Sequence, residues 1–160
     1  MLILDNDKIL RTCNRLAYEI IEQNEKSNEV FLIGIKEKGF EIAKIIKKNI
    51  VSISKKKVKL YPISVSKNRE NSSINFDKAL PKNLRIFIID DVLNTGNTLF
   101  KCVNYLFTQN CHNIKTIVLI DRDHKKYPVN VDIKGVSLST NFEDTVKVVS
   151  VNKKLKAVLV

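Results

Sequence analysis

The sequence predicts an α/β fold, a mostly parallel twisted sheet with helices layered on both faces, and three observations lead there. Short continuous apolar runs recur along the chain, and between them apolar residues fall at helical spacing. Strand alternating with helix favours parallel pairing, because each helix carries the chain back across a sheet face. The 160 residues, 44% hydrophobic, suffice for one core-bearing domain spanning 1–160 and are too few for two of ordinary size.

Residues 6–24 read as the first helix, with Ile9, Leu10, Cys13, Leu16, Ala17, Ile20 and Ile21 on one stripe and Arg11, Arg15 and Glu22 off it. Val30–Ile33 is an apolar run ending at Gly34, as in a strand buried on both faces. After Gly39 a helical period returns through Ile46, and Val58–Val65 is the next strand. Residues 66–83 are polar and loop-like, a length that in compact domains marks a lid or binding loop. Ile86–Ile89 gives a third strand, 97–108 a helix with Leu99, Cys102, Val103, Leu106 and Phe107 inward, and Ile114–Ile120 a fourth strand. Short β-like pieces follow at 136–138, 146–149 and 155–160.

Composition bounds the function more loosely. A formal charge of +11 fits an anionic substrate, a nucleic acid, or a general Lys, Asn and Ile bias, and selects none of them. Three cysteines without C-x-x-C spacing argue against a disulfide framework or a zinc site. No apolar run approaches the ~18 residues of a membrane span, and Asp5 and Asp7 interrupt the N-terminus too early for a signal peptide. A reduced, cytoplasmic setting without a membrane is expected. Lys55–Lys57 and Lys153–Lys154 read as solvated faces, and the four tyrosines form no ladder of the kind single-strand binders use.

The chemistry concentrates where Ile86–Ile89 runs into Asp90, Asp91, Val92, Leu93, Asn94, Thr95, Gly96, Asn97 and Thr98. Ligands of open α/β sheets sit beyond the carboxyl ends of strands. There, the free amides at a helix start favour an anion, Gly96 allows close backbone approach, and Thr95 and Thr98 add hydroxyl donors. The paired carboxylates would repel phosphate but accept hydrogen bonds from vicinal hydroxyls. The joint preference is a sugar phosphate, hydroxyls toward Asp90 and Asp91, phosphate toward 94–98. No G-x-x-x-x-G-K-[ST] occurs, so a P-loop is absent.

This stretch closely resembles the phosphoribosyl-pyrophosphate (PRPP) signature of type I phosphoribosyltransferases. Gly34–Gly39, with Lys36, Glu37, Lys38 and Gly39, resembles the pyrophosphate loop of that family. Asp121-Arg122-Asp123-His124-Lys125-Lys126-Tyr127-Pro128, continuing to Asp132-Ile133-Lys134-Gly135, resembles one subgroup, the pyrimidine operon attenuation regulators that are also uracil phosphoribosyltransferases. The resemblance covers roughly residues 6–150. It implies a type I phosphoribosyltransferase fold: three layers, with a small hood region. It also implies transfer of ribose 5-phosphate from PRPP to a nucleobase, uracil first, with pyrophosphate released and Mg²⁺ as cofactor carried by substrate rather than by protein ligands alone. The implied roles are ribose recognition by Asp90 and Asp91, and base or RNA contact by Arg122, His124, Lys134 and Val136. A homo-oligomer is implied as well. The alternative reading is a nucleotide-sensing, RNA-binding regulator of pyrimidine genes with weak or lost turnover. Asn94, Asn97, Asp123 and Val136 stand where the subgroup has Tyr, Arg, Gly and Lys, and Lys67-Asn68-Arg69 replaces its Y-R-D-D motif.

Overall fold

The computed structural model describes residues 1–66 and 73–160; the Lys67–Arg69 departure lies outside the described residues. Strands and helices run β1 (Leu2–Leu4), α1 (Asn6–Gln23), β2 (Glu29–Ile35), α2 (Lys38–Ile53), β3 (Lys57–Val65), β4 (Ile74–Asn75), β5 (Ile86–Leu93), α3 (Asn97–Thr108), β6 (Ile114–Asp121), β7 (Ile133–Ser137), β8 (Val146–Val151) and β9 (Lys154–Leu159). A six-stranded sheet has the order β4-β3-β2-β5-β6-β7, parallel except for the β3–β4 pair. A second, antiparallel sheet, β1-β9-β8, joins the two ends of the chain and supplies the smaller region expected beside the main sheet.

Alternation along the buried strands divides the interior into two cores. Val30, Leu32, Phe87 and Ile89 face α1, α2 and the small sheet, where Ile9, Leu16, Ile42, Ile46, Val148 and Leu155 pack. Phe31, Ile33, Ile86 and Ile88 face α3, with Leu99, Cys102 and Leu106. Helices therefore cover both faces, two on one side and one on the other. All three cysteines are free and buried, and burial pushes the Cys13 thiol up to about 12.

The structure extends the expected strands and changes three readings. Leu2–Leu4 forms an edge strand, which its shortness hid in the sequence. Within 66–83, the part from residue 73 onward is tied down. Ile74 and Asn75 pair with β3, Ser66 N–H donates to Ser73 O at 2.9 Å, and Phe76 and Leu80 pack against the α3 core. The strand expected at 136–138 is β7, beginning three residues earlier at Ile133.

The ladder breaks at one row. Between Asp90↔Val118↔Lys134 and Val92↔Ile120↔Val136, the row Asp91, Leu119, Gly135 drops out of both registers. A Cβ at Gly135 would overlap the Leu119 carbonyl oxygen and lie 2.7 Å from Thr12 Cγ2, so the close approach requires glycine. Arg15 of α1 fills the gap, its Nη2 donating to Lys134 O at 3.0 Å and Gly135 O at 2.5 Å while Nη1 pairs with Glu19. Arg15 lies off the apolar stripe, as expected, and links α1 to the β7 edge of the sheet.

Candidate active site

Strand β5 carries the acid pair inside the ladder, since the strand continues to Leu93 rather than stopping at Ile89. This corrects the expectation of carboxylates beyond the strand end, and burial follows from it. Asp90 is 8% exposed, and its Oδ1 accepts the Asp91 N–H at 2.9 Å. Desolvation, reinforced by the neighbouring Asp91 charge, holds the Asp90 carboxyl well above the usual carboxylate range. Asp91 is half-buried and is also raised, chiefly by desolvation, opposed first by hydrogen bonding with Asp90 and least by the Lys38 ammonium. The pair is thus primed to gain from any positive charge brought against it.

The turn after β5 starts α3 without a side-chain cap. Gly96 occupies the N-cap position at φ +86°, a left-handed conformation suited to glycine, and no acidic residue sits in the first turn. Helix α1, away from the site, contrasts with it: the Asp5 side chain accepts Lys8 N–H at 2.8 Å and caps the helix. In α3 the first amides are left for an external acceptor. Thr95 Oγ1 takes one of them, Asn97 N–H, at a long 3.3 Å, and Thr98 is exposed beside it. Asn97 Oδ1 is buried with no hydrogen-bond partner among the described residues. Asp90, Asn94, Thr95, Gly96, Asn97 and Thr98 line a cavity of about 70 Å³, room for a group several water molecules in size.

The turn from β2 into α2 lies directly against the acids. A Cβ at Gly39 would lie 2.8 Å from Ile89 O, 2.9 Å from Asp90 Cα and 3.1 Å from Asp90 Oδ1, so the absence of a side chain lets the loop reach β5. The Lys36–Glu37 peptide is cis, Lys36 and Glu37 are exposed, and Glu37 at the N-cap makes no side-chain cap. Lys38 Nζ pairs with Glu41 at 2.9 Å. Both turns at this end of the sheet therefore present uncapped helix starts, one flanked by lysines and one by threonines.

The segment 121–136 closes a third side. Lys126 and Tyr127 N–H groups donate to Thr95 O at 2.7 and 3.2 Å, binding the segment to the turn 94–98. His124 is half-buried, its Nε2 bonded to the Thr140 carbonyl and its ring stacked on Phe142 at 4.8 Å. Lys134 reaches Asp121 Oδ2 at 3.4 Å, and Val136 is a half-buried β7 residue paired with Ile120. Arg122 is not the exposed cation that such a loop leads one to expect. It is 6% exposed and donates to Asn94 Oδ1 at 2.7 Å and to Thr140 Oγ1 at 2.8 Å. Sequence reasoning missed Thr140 and Phe142, which lie in a stretch with no motif signal. Asp132 also gains a structural role, accepting from Thr116 N–H at 2.8 Å.

The described residues include no group of three or more His, Cys, Asp or Glu side chains able to hold a metal ion, and no helix long and apolar enough to cross a membrane.

Comparison with known proteins agrees with this arrangement. The phosphoribosyl transferase domain model matches residues 2–153. The bifunctional protein PyrR of Clostridium kluyveri is 32% identical over 156 residues, covering 92% of this chain and 88% of that protein. Its namesake from Clostridium beijerinckii is 34% identical over 156 residues, covering 91% and 88%. Among solved structures, a hypoxanthine-guanine phosphoribosyltransferase from Bacillus anthracis superposes with TM-score 0.76 at 16% identity, over 91% of this chain and 86% of its own. The Trypanosoma cruzi hypoxanthine phosphoribosyltransferase in complex with IMP gives 0.75 at 18%, over 91% and 82%. The fold is that of these enzymes, and the chain belongs to the phosphoribosyl transferase family, alongside the bifunctional PyrR proteins.

Proposed function

We propose that the protein transfers ribose 5-phosphate from PRPP to a nucleobase, uracil first, and releases pyrophosphate. The observation that carries this is the meeting of two uncapped helix starts with the buried acid pair at one end of the sheet. The turn 94–98 takes the 5-phosphate through backbone amides and the Thr95 and Thr98 hydroxyls. Asp90 and Asp91 accept the ribose hydroxyls, and their negative charge favours the cationic character that develops at the anomeric carbon as the bond to pyrophosphate breaks. The loop 36–39 receives the pyrophosphate, with Lys36 and Lys38 countering its charge. The base lies against 121–136, near His124. No side chain need attack; orientation and electrostatics supply the acceleration.

The donor set fits Mg²⁺ in one way. Two carboxylates without further ligands make no protein cage, whereas an ion that keeps near-octahedral oxygen coordination suits the phosphates of PRPP. Bound there, Mg²⁺ supplies charge neutralisation of the pyrophosphate. PRPP with Mg²⁺ should raise the melting temperature by mass action, about 2.7 kcal/mol of stabilisation at a hundredfold excess over the dissociation constant. No shift at millimolar PRPP would count decisively against the assignment.

A second reading rests on the +11 charge and the exposed Lys125, Lys126 and Lys134 beside the site. In it the pocket senses a nucleotide while this basic face engages RNA. Self-association and a cytoplasmic location belong to the same proposal.

A further inference from the structure

Arg122 is the only Lys or Arg among the buried residues described, and its partners are unusual for a buried cation. Nε donates to Thr140 Oγ1 at 3.1 Å and Nη1 to Asn94 Oδ1 at 2.7 Å; Nη2 donates to Thr140 Oγ1 at 2.8 Å and Asn141 O at 3.2 Å. All these acceptors are neutral. The adjacent Asp121 is engaged elsewhere, with Lys134 Nζ and Asp123 N–H. A cation withdrawn from water without a counter-charge is costly, and the cost is relieved when an anion arrives nearby. Asn94 belongs to the turn assigned to the 5-phosphate, and Arg122 N–H donates to Leu93 O at 3.3 Å, so the charge is anchored beside that turn.

Four of the five guanidinium N–H donors are committed to neighbours, which leaves little for a base edge or an RNA phosphate. We propose that Arg122 is a positioning residue for the 5-phosphate rather than a base or RNA contact. Through Asn94 it holds the phosphate turn, and through Thr140 and Asn141 it ties that turn to the loop carrying Phe142, which stacks on His124. Occupancy of the phosphate turn is thereby coupled to order in the 140–142 loop on the base side. The proposal rests on the assignment of residues 94–98 to phosphate.

Amide hydrogen exchange on the free protein and titration with UMP test it. Arg122→Gln removes the charge and the fork, and Asn94→Ala removes one acceptor. Each should speed exchange at 94–98 and 139–142 together and leave α2 unchanged. Each should also raise the UMP dissociation constant about tenfold, the loss expected for a hydrogen bond to a charged group. The double variant should be no worse than the more severe single one, because both act through one bond. Should Arg122→Gln fail to fold, Asn94→Ala reads the same link alone. Unchanged exchange at 94–98, or losses that add in the double variant, would overturn the positioning role. Failure of the wild type to bind UMP would remove the phosphate assignment instead, while the exchange data would still report on the strut.

Discussion

The two turns proposed to receive anions are built to different standards. The turn after β5 is held from behind: Arg122 bonds Asn94, two backbone amides of 126 and 127 bond Thr95 O, and Val129 packs 3.0 Å from where a Gly96 Cβ would stand. The turn after β2 has Lys36 and Glu37 exposed and is braced mainly through Gly39 against β5 and Lys36 N–H on Ile63 O at 2.8 Å. A group that stays on the protein through the reaction can be met by a preformed site. A leaving group must be released, and a more open turn suits it. On the proposed assignment, the ribose-phosphate half is organised before substrate arrives, and the pyrophosphate half relies on the exposed Lys36 and the half-buried Lys38.

The largest expected effect lies between the two turns. Replacing both Asp90 and Asp91 by Asn should leave a folded protein whose transferase rate falls at least about 10²-fold, since preorganised charge is lost where positive character develops. A steady-state assay checks this, and full activity would detach the acids from the chemistry.

A crossed pair of variants sharpens the comparison itself. Thr98→Ala should weaken both UMP and PRPP by about 1–3 kcal/mol, because the same phosphate contact serves both ligands. Lys36→Ala should weaken PRPP and leave UMP unchanged, since UMP carries no pyrophosphate. Calorimetric titration of the four combinations decides it; a Lys36→Ala effect on UMP would merge the two turns into one site.

A smaller effect concerns stability. Asp90 has a raised pKa in the folded protein, first from desolvation and then from Asp91. More protons are bound folded than unfolded between the ordinary carboxylate pKa and the raised one, so stability is full below the ordinary value and declines as pH rises through the folded pKa. Asp90→Asn should flatten that decline and raise the melting temperature at neutral pH, even as it harms activity. A melting-temperature profile from pH 4 to 8 is the check; a steeper decline in the variant would contradict the burial argument.

The smallest effect is on RNA. With Asn97 and Val136 where the subgroup has cations, and Arg122 buried, binding should be weak and nonspecific. Its log–log salt slope should be about −0.7 per phosphate contacted. Filter binding to a pyrimidine-gene leader and a scrambled control should show no difference near physiological salt. Submicromolar, leader-specific binding would raise the regulatory reading above the enzymatic one.

What the sequence made legible follows from how local each signal is. Ile86–Ile89 is apolar on both faces and Ile114–Ile120 largely so, which announces strands, and the turn around Gly96 announces a helix start; the left-handed cap at Gly96 is visible only in the structure. The acid pair is expected beyond the end of the Ile86–Ile89 run, whereas β5 continues to Leu93; the burial of Asp90 depends on α3 and Gly39 packing around it, which no local pattern encodes. Arg122 is buried for the same reason, while Arg15 is exposed, as its place off the apolar stripe predicts, yet has long-range partners that no local pattern encodes. Arg122 donates to the Thr140 hydroxyl 18 residues away and to the Asn94 amide 28 away, and Arg15 to the Gly135 carbonyl 120 away, all in segments without periodicity. The skipped row at Asp91, Leu119 and Gly135 is likewise a property of three strands together.

The most direct test of the whole account is turnover. Incubation of the full chain with PRPP, Mg²⁺ and uracil, followed by separation of nucleotides and measurement of pyrophosphate, should yield UMP and pyrophosphate in equal amounts, with neither formed when any of the three is omitted. No nucleotide from uracil or any other nucleobase, together with no PRPP-induced rise in melting temperature, would contradict it.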